Sequence, residues 1–157
     1  MSAVEWMDVD PDLCSVSRSL EILQDRWTIL VLREIFNGVR RFDDISEHIG
    51  VSRSVLARRL AALVEDGVLE RRPYREPGER ARHEYRLTEM GRDLLPVLIA
   101  LVTFGDKHLA AAGGPPTVLT HRDCGERVSA GIVCAAGHHV SGREIRMEPG
   151  PGLRRTS

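Results

Sequence analysis

Gly50-Val51-Ser52-Arg53-Ser54-Val55-Leu56-Ala57-Arg58-Arg59-Leu60, with Gly67-Val68-Leu69-Glu70-Arg71-Arg72 behind it and His83-Glu84-Tyr85-Arg86-Leu87 after a polar interval, decides the fold of this 157-residue chain. Ser52 is placed to cap a helix from Arg53 to about Asp66, because a serine hydroxyl accepts a first-turn N–H. Gly67 then ends it, since glycine takes the left-handed conformation at helix ends. At about 100° per residue, Leu56, Leu60 and Leu63 fall on one side of that helix. Ser54, Arg58 and Ala61 fall opposite, with Arg53 and Arg59 on the flanks. One face is apolar; the other is small and basic.

Working outward, Arg40-Arg41-Phe42 reads as extended chain that can form a single edge contact with the later hairpin. Asp43 is placed to cap a short helix whose Ile45 and Ile49 face inward, and Gly50 supplies a turn tolerant of positive φ. Two helices are predicted further upstream. Ser15–Gln24 carries Val16, Leu20, Ile22 and Leu23, and the second follows Asp25 with Trp27, Ile29, Leu30, Val31, Leu32, Ile35 and Phe36, closing at Asn37-Gly38. Downstream, Val68–Arg72 and His83–Leu87 predict an antiparallel hairpin around the polar loop Pro73–Arg82.

Helix, tight turn, helix and hairpin in that order predict a winged helix-turn-helix, which sets one helix in the major groove of DNA with the hairpin beside it. The expected fold class is mainly α with a small β wing. The residues expected to meet DNA are Ser52, Arg53, Ser54, Arg58 and Arg59 from the second helix. Arg75, Arg80 and Arg82 join them from the wing, where arginines enter the minor groove or hold phosphates. A plainly solvated loop is the competing reading for the wing arginines.

Charge distribution agrees better than net charge does. The chain carries a formal charge of −1, yet residues 52–87 hold nine arginines and six acids, whereas residues 1–51 hold five basic and ten acidic groups. An arginine fork suits phosphate and guanine edges better than a lysine point charge. Hydrophobic content of 42% and charged content of 29% fit a globular chain. No apolar run approaches the roughly 20 residues of a membrane helix, and the acidic start lacks the pattern of a signal peptide. A cytoplasmic protein with no membrane partner is expected, in which three cysteines argue against a disulfide framework.

After Thr88-Glu89-Met90-Gly91 comes an apolar helix with Leu94, Leu95, Leu98, Ile99, Leu101, Val102 and Leu109, bent or started at Pro96. Apolar surface in such excess at the edge of a small domain predicts a homodimer, the N-terminal helix contributing. Two-fold symmetry would then set the recognition helices about one DNA turn apart on a palindromic site. Gly113-Gly114-Pro115-Pro116 breaks the chain, so residues 1–112 are expected to form the DNA-binding and dimerisation domain and 113–157 a small β-hairpin extension. The extension ends in a mobile tail bearing Arg154 and Arg155. A metal-free hairpin is the default reading; its His121, Cys124, Cys134 and His138 are the alternative, a ligand set that a structural zinc accepts, and no cofactor is required for the predicted function.

These residues resemble the HxlR family of bacterial winged-helix regulators, relatives of the MarR proteins. The likeness runs from about Cys14 to His108 through Cys14-Ser15-Val16, Asp25-Arg26-Trp27-Thr28-Ile29-Leu30, Arg41-Phe42-Asp43-Asp44-Ile45, the Ile49–Leu60 stretch, Leu63–Arg71 and Tyr85–Gly91. The resemblance implies a dimeric, sequence-specific transcription factor, repressor or activator. It also implies an oxidant- or electrophile-sensing role for Cys14, or a small-molecule effector held between dimer helices. Here Ser15 replaces the proline usual after that cysteine. Family members with such an extension look more like zinc ribbons ending in Cys-x2-Cys, whereas Gly137 stands where the second cysteine would fall. Two other classes compete: a winged-helix protein-interaction module without DNA binding, and a thiol or zinc enzyme. Arg53, Ser54, Arg58 and Arg59 argue against the first. The lack of a base beside Cys14 in sequence, and of any phosphate loop, nucleophile elbow or HExxH helix, argues against the second.

Overall fold

The computed structural model describes residues 9–78 and 80–153. Arg154 and Arg155 of the tail lie outside them. The chain divides into two compact units, one of Asp25–Ala130 and one that joins Met1–Gln24 with Gly131–Ser157. The boundary expected at Gly113 falls inside the larger unit. The smaller unit holds a 3-10 turn at Pro11–Leu13, helix α1 (Ser15–Leu23) and a second 3-10 turn at Gly142–Glu144.

The larger unit runs α2 (Arg26–Phe36), α3 (Phe42–Ile49), α4 (Arg53–Glu65), β1 (Leu69–Tyr74), β2 (Arg82–Leu87), α5 (Glu89–Arg92) and α6 (Leu95–His108). Its core is Val31, Leu32 and Ile35 from α2, Ile45 from α3, Val51 from the turn, Leu56, Leu60 and Leu63 from α4, and Val68 and Leu69 at the wing base. Each such side chain contributes roughly 1.5–3 kcal/mol on burial. Three helices therefore share one apolar centre, and α4 can present only its other face to solvent.

Local chemistry fixes where the elements start. Asp25 caps α2, its carboxylate accepting the N–H groups of Trp27 at 2.7 Å and Thr28 at 3.1 Å. Gly50 ends α3 at φ 66°, and its N–H donates to the Ser46 carbonyl. Ser52 caps α4 by accepting the Val55 N–H. Thr88 caps α5 and ties it to the wing base, accepting the Gly91 N–H at 3.1 Å while its hydroxyl donates to the Gly67 carbonyl at 2.6 Å.

The wing pairs β1 with β2 antiparallel from Leu69↔Leu87 to Tyr74↔Arg82. It is longer than expected because Pro73 takes part, opposite His83, at a position where a two-stranded sheet tolerates a missing donor. Arg82 accordingly begins a strand and does not sit in the loop tip. The expected edge contact is present: the Tyr85 N–H donates to the Arg40 carbonyl at 2.9 Å, and Arg41 bridges Glu84.

Two details differ from the sequence reading, and at Pro96 the structure takes the second of its two alternatives, a helix start. α3 begins at Phe42 with Arg41 as its cap residue, so Asp43 lies in the first turn and caps nothing. The long apolar helix is split, and α6 restarts at Leu95 with Pro96 in its first turn, where a missing N–H leaves no helical bond unmade. The C-terminal extension forms two tight turns, each closed by one bridge, Thr120↔Arg127 in the larger unit and Val133↔His139 in the smaller. A glycine-rich polar segment without alternating apolar residues has no face on which to build a longer ladder.

Asp25 does two jobs, since its other carboxylate oxygen pairs with Arg59 of α4. The Arg59 Nε is buried without a partner, so Asp25 is what compensates this guanidinium. Asp25→Ala is expected to cost about 2–3 kcal/mol, combining a lost cap with a partly buried charge left uncompensated. Thermal unfolding should register this as a fall of roughly 8–20 °C. Asp25→Asn should keep the cap and lose less than half of that.

Candidate nucleic-acid interface

α4 turns Ser52, Arg53, Ser54, Ala57, Arg58 and Ala61 to solvent while Leu56, Leu60 and Leu63 are buried. Arg58 is exposed and forms no hydrogen bond or ion pair with the described residues. Small neighbours surround it on that face, so nothing on the helix keeps a flat surface of bases at a distance. Ser52 and Ser54 hydroxyl oxygens lie 3.3 Å apart at the helix start. Arg59 points the other way. Paired with Asp25, its side chain is only 29% exposed, and it joins α4 to the first turn of α2.

The N-terminal edge of α4 meets α3 and the wing through charge. Arg53 Nη1 donates to Asp43 Oδ1 at 2.5 Å, and the Arg53 guanidinium lies 4.7 Å from the centre of the Phe42 ring. Arg82 of β2 approaches the other oxygen of Asp43 at 3.7 Å. The Arg53 hydrogen bond, with the charges of Arg53 and Arg82, holds the Asp43 carboxyl below the usual carboxylate range. Arg41 braces the wing loop, pairing with Glu76 at 2.6 Å and stacking 4.5 Å over Tyr74. The Glu76 hydrogen bond raises the Arg41 pKa further above its ordinary value. Arg75 and Arg80 are exposed beside this loop, and Arg75 and Arg82 make further interactions within the chain.

A buried carboxylate sits behind the interface. Glu34 of α2 is 2% exposed, with one oxygen 2.5 Å from Arg33 Nη2 and the other 2.6 Å from His48 Nδ1 on α3. This pair fastens the first helix of the helix-turn-helix to α2. Sequence reasoning missed it because the partner that explains a buried acid in α2, His48, lies fourteen residues on in α3, and no local pattern links the two.

The remaining expected residues belong to other segments of the chain. Cys14 is half-buried directly before α1, its N–H donating to the Pro11 carbonyl at 3.1 Å and its carbonyl accepting the Arg18 N–H at 3.0 Å. His121 Nδ1 lies 3.1 Å from Cys124 Sγ, and His138 Nδ1 lies 3.7 Å from Cys134 Sγ. The first pair belongs to the larger unit and the second to the smaller. The backbone N–H groups of His138 and Ala136 hold the Cys134 thiol below the ordinary cysteine pKa. Among the described residues, no three His, Cys, Asp or Glu side chains are grouped as a metal site would need.

Three packed helices with α4 outermost and a two-stranded wing behind it define a winged helix-turn-helix. Residues 22–112 match the HxlR-like helix-turn-helix family, and the chain belongs to that family. The uncharacterized HTH-type transcriptional regulator Rv3095 of Mycobacterium tuberculosis is 45% identical over 141 residues, covering 89% of this chain and 88% of that protein. Two solved structures are similar throughout. PA1607, described as a candidate transcription factor, is 30% identical with a TM-score of 0.79, over 89% of this chain and 97% of that one. PA1374 of Pseudomonas aeruginosa, described in the same terms, is 37% identical with a TM-score of 0.61, over 88% and 94%. This chain is a transcriptional regulator of the helix-turn-helix type. No helix among its described residues is long and apolar enough to cross a membrane.

Proposed function

We propose that the protein binds double-stranded DNA sequence-specifically as a homodimer, with α4 in the major groove and the wing along the backbone. The observation that carries this is Arg58, exposed and without a partner among the described residues, in the middle of a face made of Ser54, Ala57 and Ala61. A guanidinium fork so placed reads a guanine edge through two parallel hydrogen bonds. Ser52, Ser54 and Arg53 sit at the end of α4 that meets the backbone, and Arg75, Arg80 and Arg82 extend the positive surface along the wing. Arg59 acts on DNA only indirectly, by holding α4 on Asp25. The chemistry is binding rather than turnover, and its place is the cytoplasm with the chromosome.

Dimerisation is supported by apolar surface that a single chain leaves bare. On α6 only Leu98 is buried, while Leu95, Val97, Leu101 and Phe104 are exposed; on α1, Val16 and Leu20 are exposed too. Two such helices from two chains can bury one another, which would set two copies of α4 about one DNA turn apart. Cys14 is the proposed oxidant-responsive group, its thiol half-buried at the start of α1. Selection from a random duplex pool, followed by titration with salt, tests the main reading. Affinity for the selected operator should fall about 10³-fold or more between 50 and 200 mM salt if six or more phosphates are contacted. Sedimentation should show a dimer; a monomer with salt-insensitive binding would contradict the proposal. Zinc analysis of the purified protein decides whether the His121, Cys124, Cys134 and His138 side chains hold a metal: one equivalent per chain supports a structural zinc, and none removes it.

A further inference from the structure

The geometry points to Asp43 as a built-in competitor for the DNA backbone: its carboxylate holds Arg53 and Arg82, the two arginines flanking the reading face, until duplex phosphates replace it. The inference rests on the DNA-binding reading of α4. A carboxylate and a phosphate offer a guanidinium the same pair of oxygen acceptors, so one can take the place of the other. Asp43 belongs to α3, Arg53 to the first turn of α4 and Arg82 to the start of β2, so one carboxylate joins all three parts proposed to meet DNA.

The exchange is easy because none of the three is buried. The side chains of Arg53, Asp43 and Arg82 are 72%, 56% and 54% exposed, and exposed ion pairs contribute little to stability. Phe42 keeps the Arg53 guanidinium aimed after release, since the ring stacks on it independently of Asp43. Nor does Asp43 cap α3, a role that would otherwise explain an acid there. Its charge favours the helix dipole, but Asp44 does the same one residue on, and the charge that Asp44 acts on is Arg41 rather than Arg53 or Arg82. What distinguishes Asp43 is its hold on two DNA-facing cations. Displacing the carboxylate costs the same whether the duplex is random or an operator, because base contacts made by Arg58 do not alter the Asp43 pairs. Asp43 thereby lowers the backbone contribution to binding on any sequence that engages both arginines.

The test compares full-length wild type, Asp43→Asn, Asp43→Glu and Asp44→Asn by fluorescence anisotropy. Two probes are used, a random-sequence 30-bp duplex and an operator selected by the wild-type protein, over a series of KCl concentrations. Asp43→Asn should bind both duplexes about 3–10-fold more tightly, with a salt slope steeper by about one. Asp43→Glu should restore wild-type affinity, and Asp44→Asn should leave it near wild type. In an Arg53→Ala, Arg82→Ala background the gain from Asp43→Asn should vanish. Weaker or unchanged binding of the random duplex by Asp43→Asn overturns the inference, as does an equal gain from Asp44→Asn. Wild type that binds neither duplex defeats the DNA-binding reading itself, and this inference with it.

Discussion

Gly91→Ala is expected to lower the stability of the larger unit by about 3 kcal/mol or more, the upper range of overpacking effects. Replacing a helical glycine by alanine ordinarily stabilises by up to about 1 kcal/mol. Here the added Cβ would lie 2.2 Å from the Val68 carbonyl oxygen and 3.0 Å from Leu87 Cδ2. That carbonyl cannot withdraw freely, because it accepts the Thr88 N–H at 3.1 Å while the Val68 N–H donates to Leu63 at 2.9 Å. The strain therefore spreads into the junction of α4, the wing base and α5. Thermal unfolding should show the midpoint reduced by roughly 12–24 °C. An unchanged or raised midpoint would mean that α5 does not lie against Val68.

Arg58→Ala should do the opposite: leave stability within about 0.5 kcal/mol and weaken operator binding by about 1–3 kcal/mol, or roughly 5–150-fold. Among the described residues, its side chain has no hydrogen-bond or ion-pair partner that its removal would orphan. Base preference should relax at one position in each half-site. Arg58→Lys should keep the salt dependence and still lose the base preference, because a lysine cannot make the paired contact. Arg59→Ala separates the two neighbours, lowering the unfolding temperature through the lost Asp25 pair and affecting binding only to the extent that less protein is folded. Should Arg58→Ala leave affinity and base preference untouched, α4 is not the reading helix.

How these two arginines divide shows where the sequence stops being informative. The spacing of Leu56, Leu60 and Leu63 was enough to place Arg58 on the outward face, since a helix wheel needs only local geometry. It left Arg59 on a flank, and a flank becomes inside or outside according to what is packed there. Asp25 supplies the answer from the first turn of α2, a contact that no local pattern encodes. Asp43 is a similar case: as an acid before an apolar helix it reads as a cap, but the helix starts one residue earlier and frees the carboxylate for Arg53. The wing, the Gly50 turn and the break at Pro96 were legible because turn and proline chemistry is local. The extension was not, since its Gly- and His-rich turns carry no periodic apolar signal. The apolar excess of α6 was plain from composition, and its exposure on the single chain is what the dimer reading required.

Guanine methylation protection on the selected operator tests the central claim most directly, because it reports contact at N7 in the major groove. Wild type should protect guanines in two patches about 10 bp apart, centre to centre, with one protection in each patch lost in Arg58→Ala. No protected guanine at saturating protein, or an identical pattern with Arg58→Ala, would contradict the assignment of α4 to the major groove.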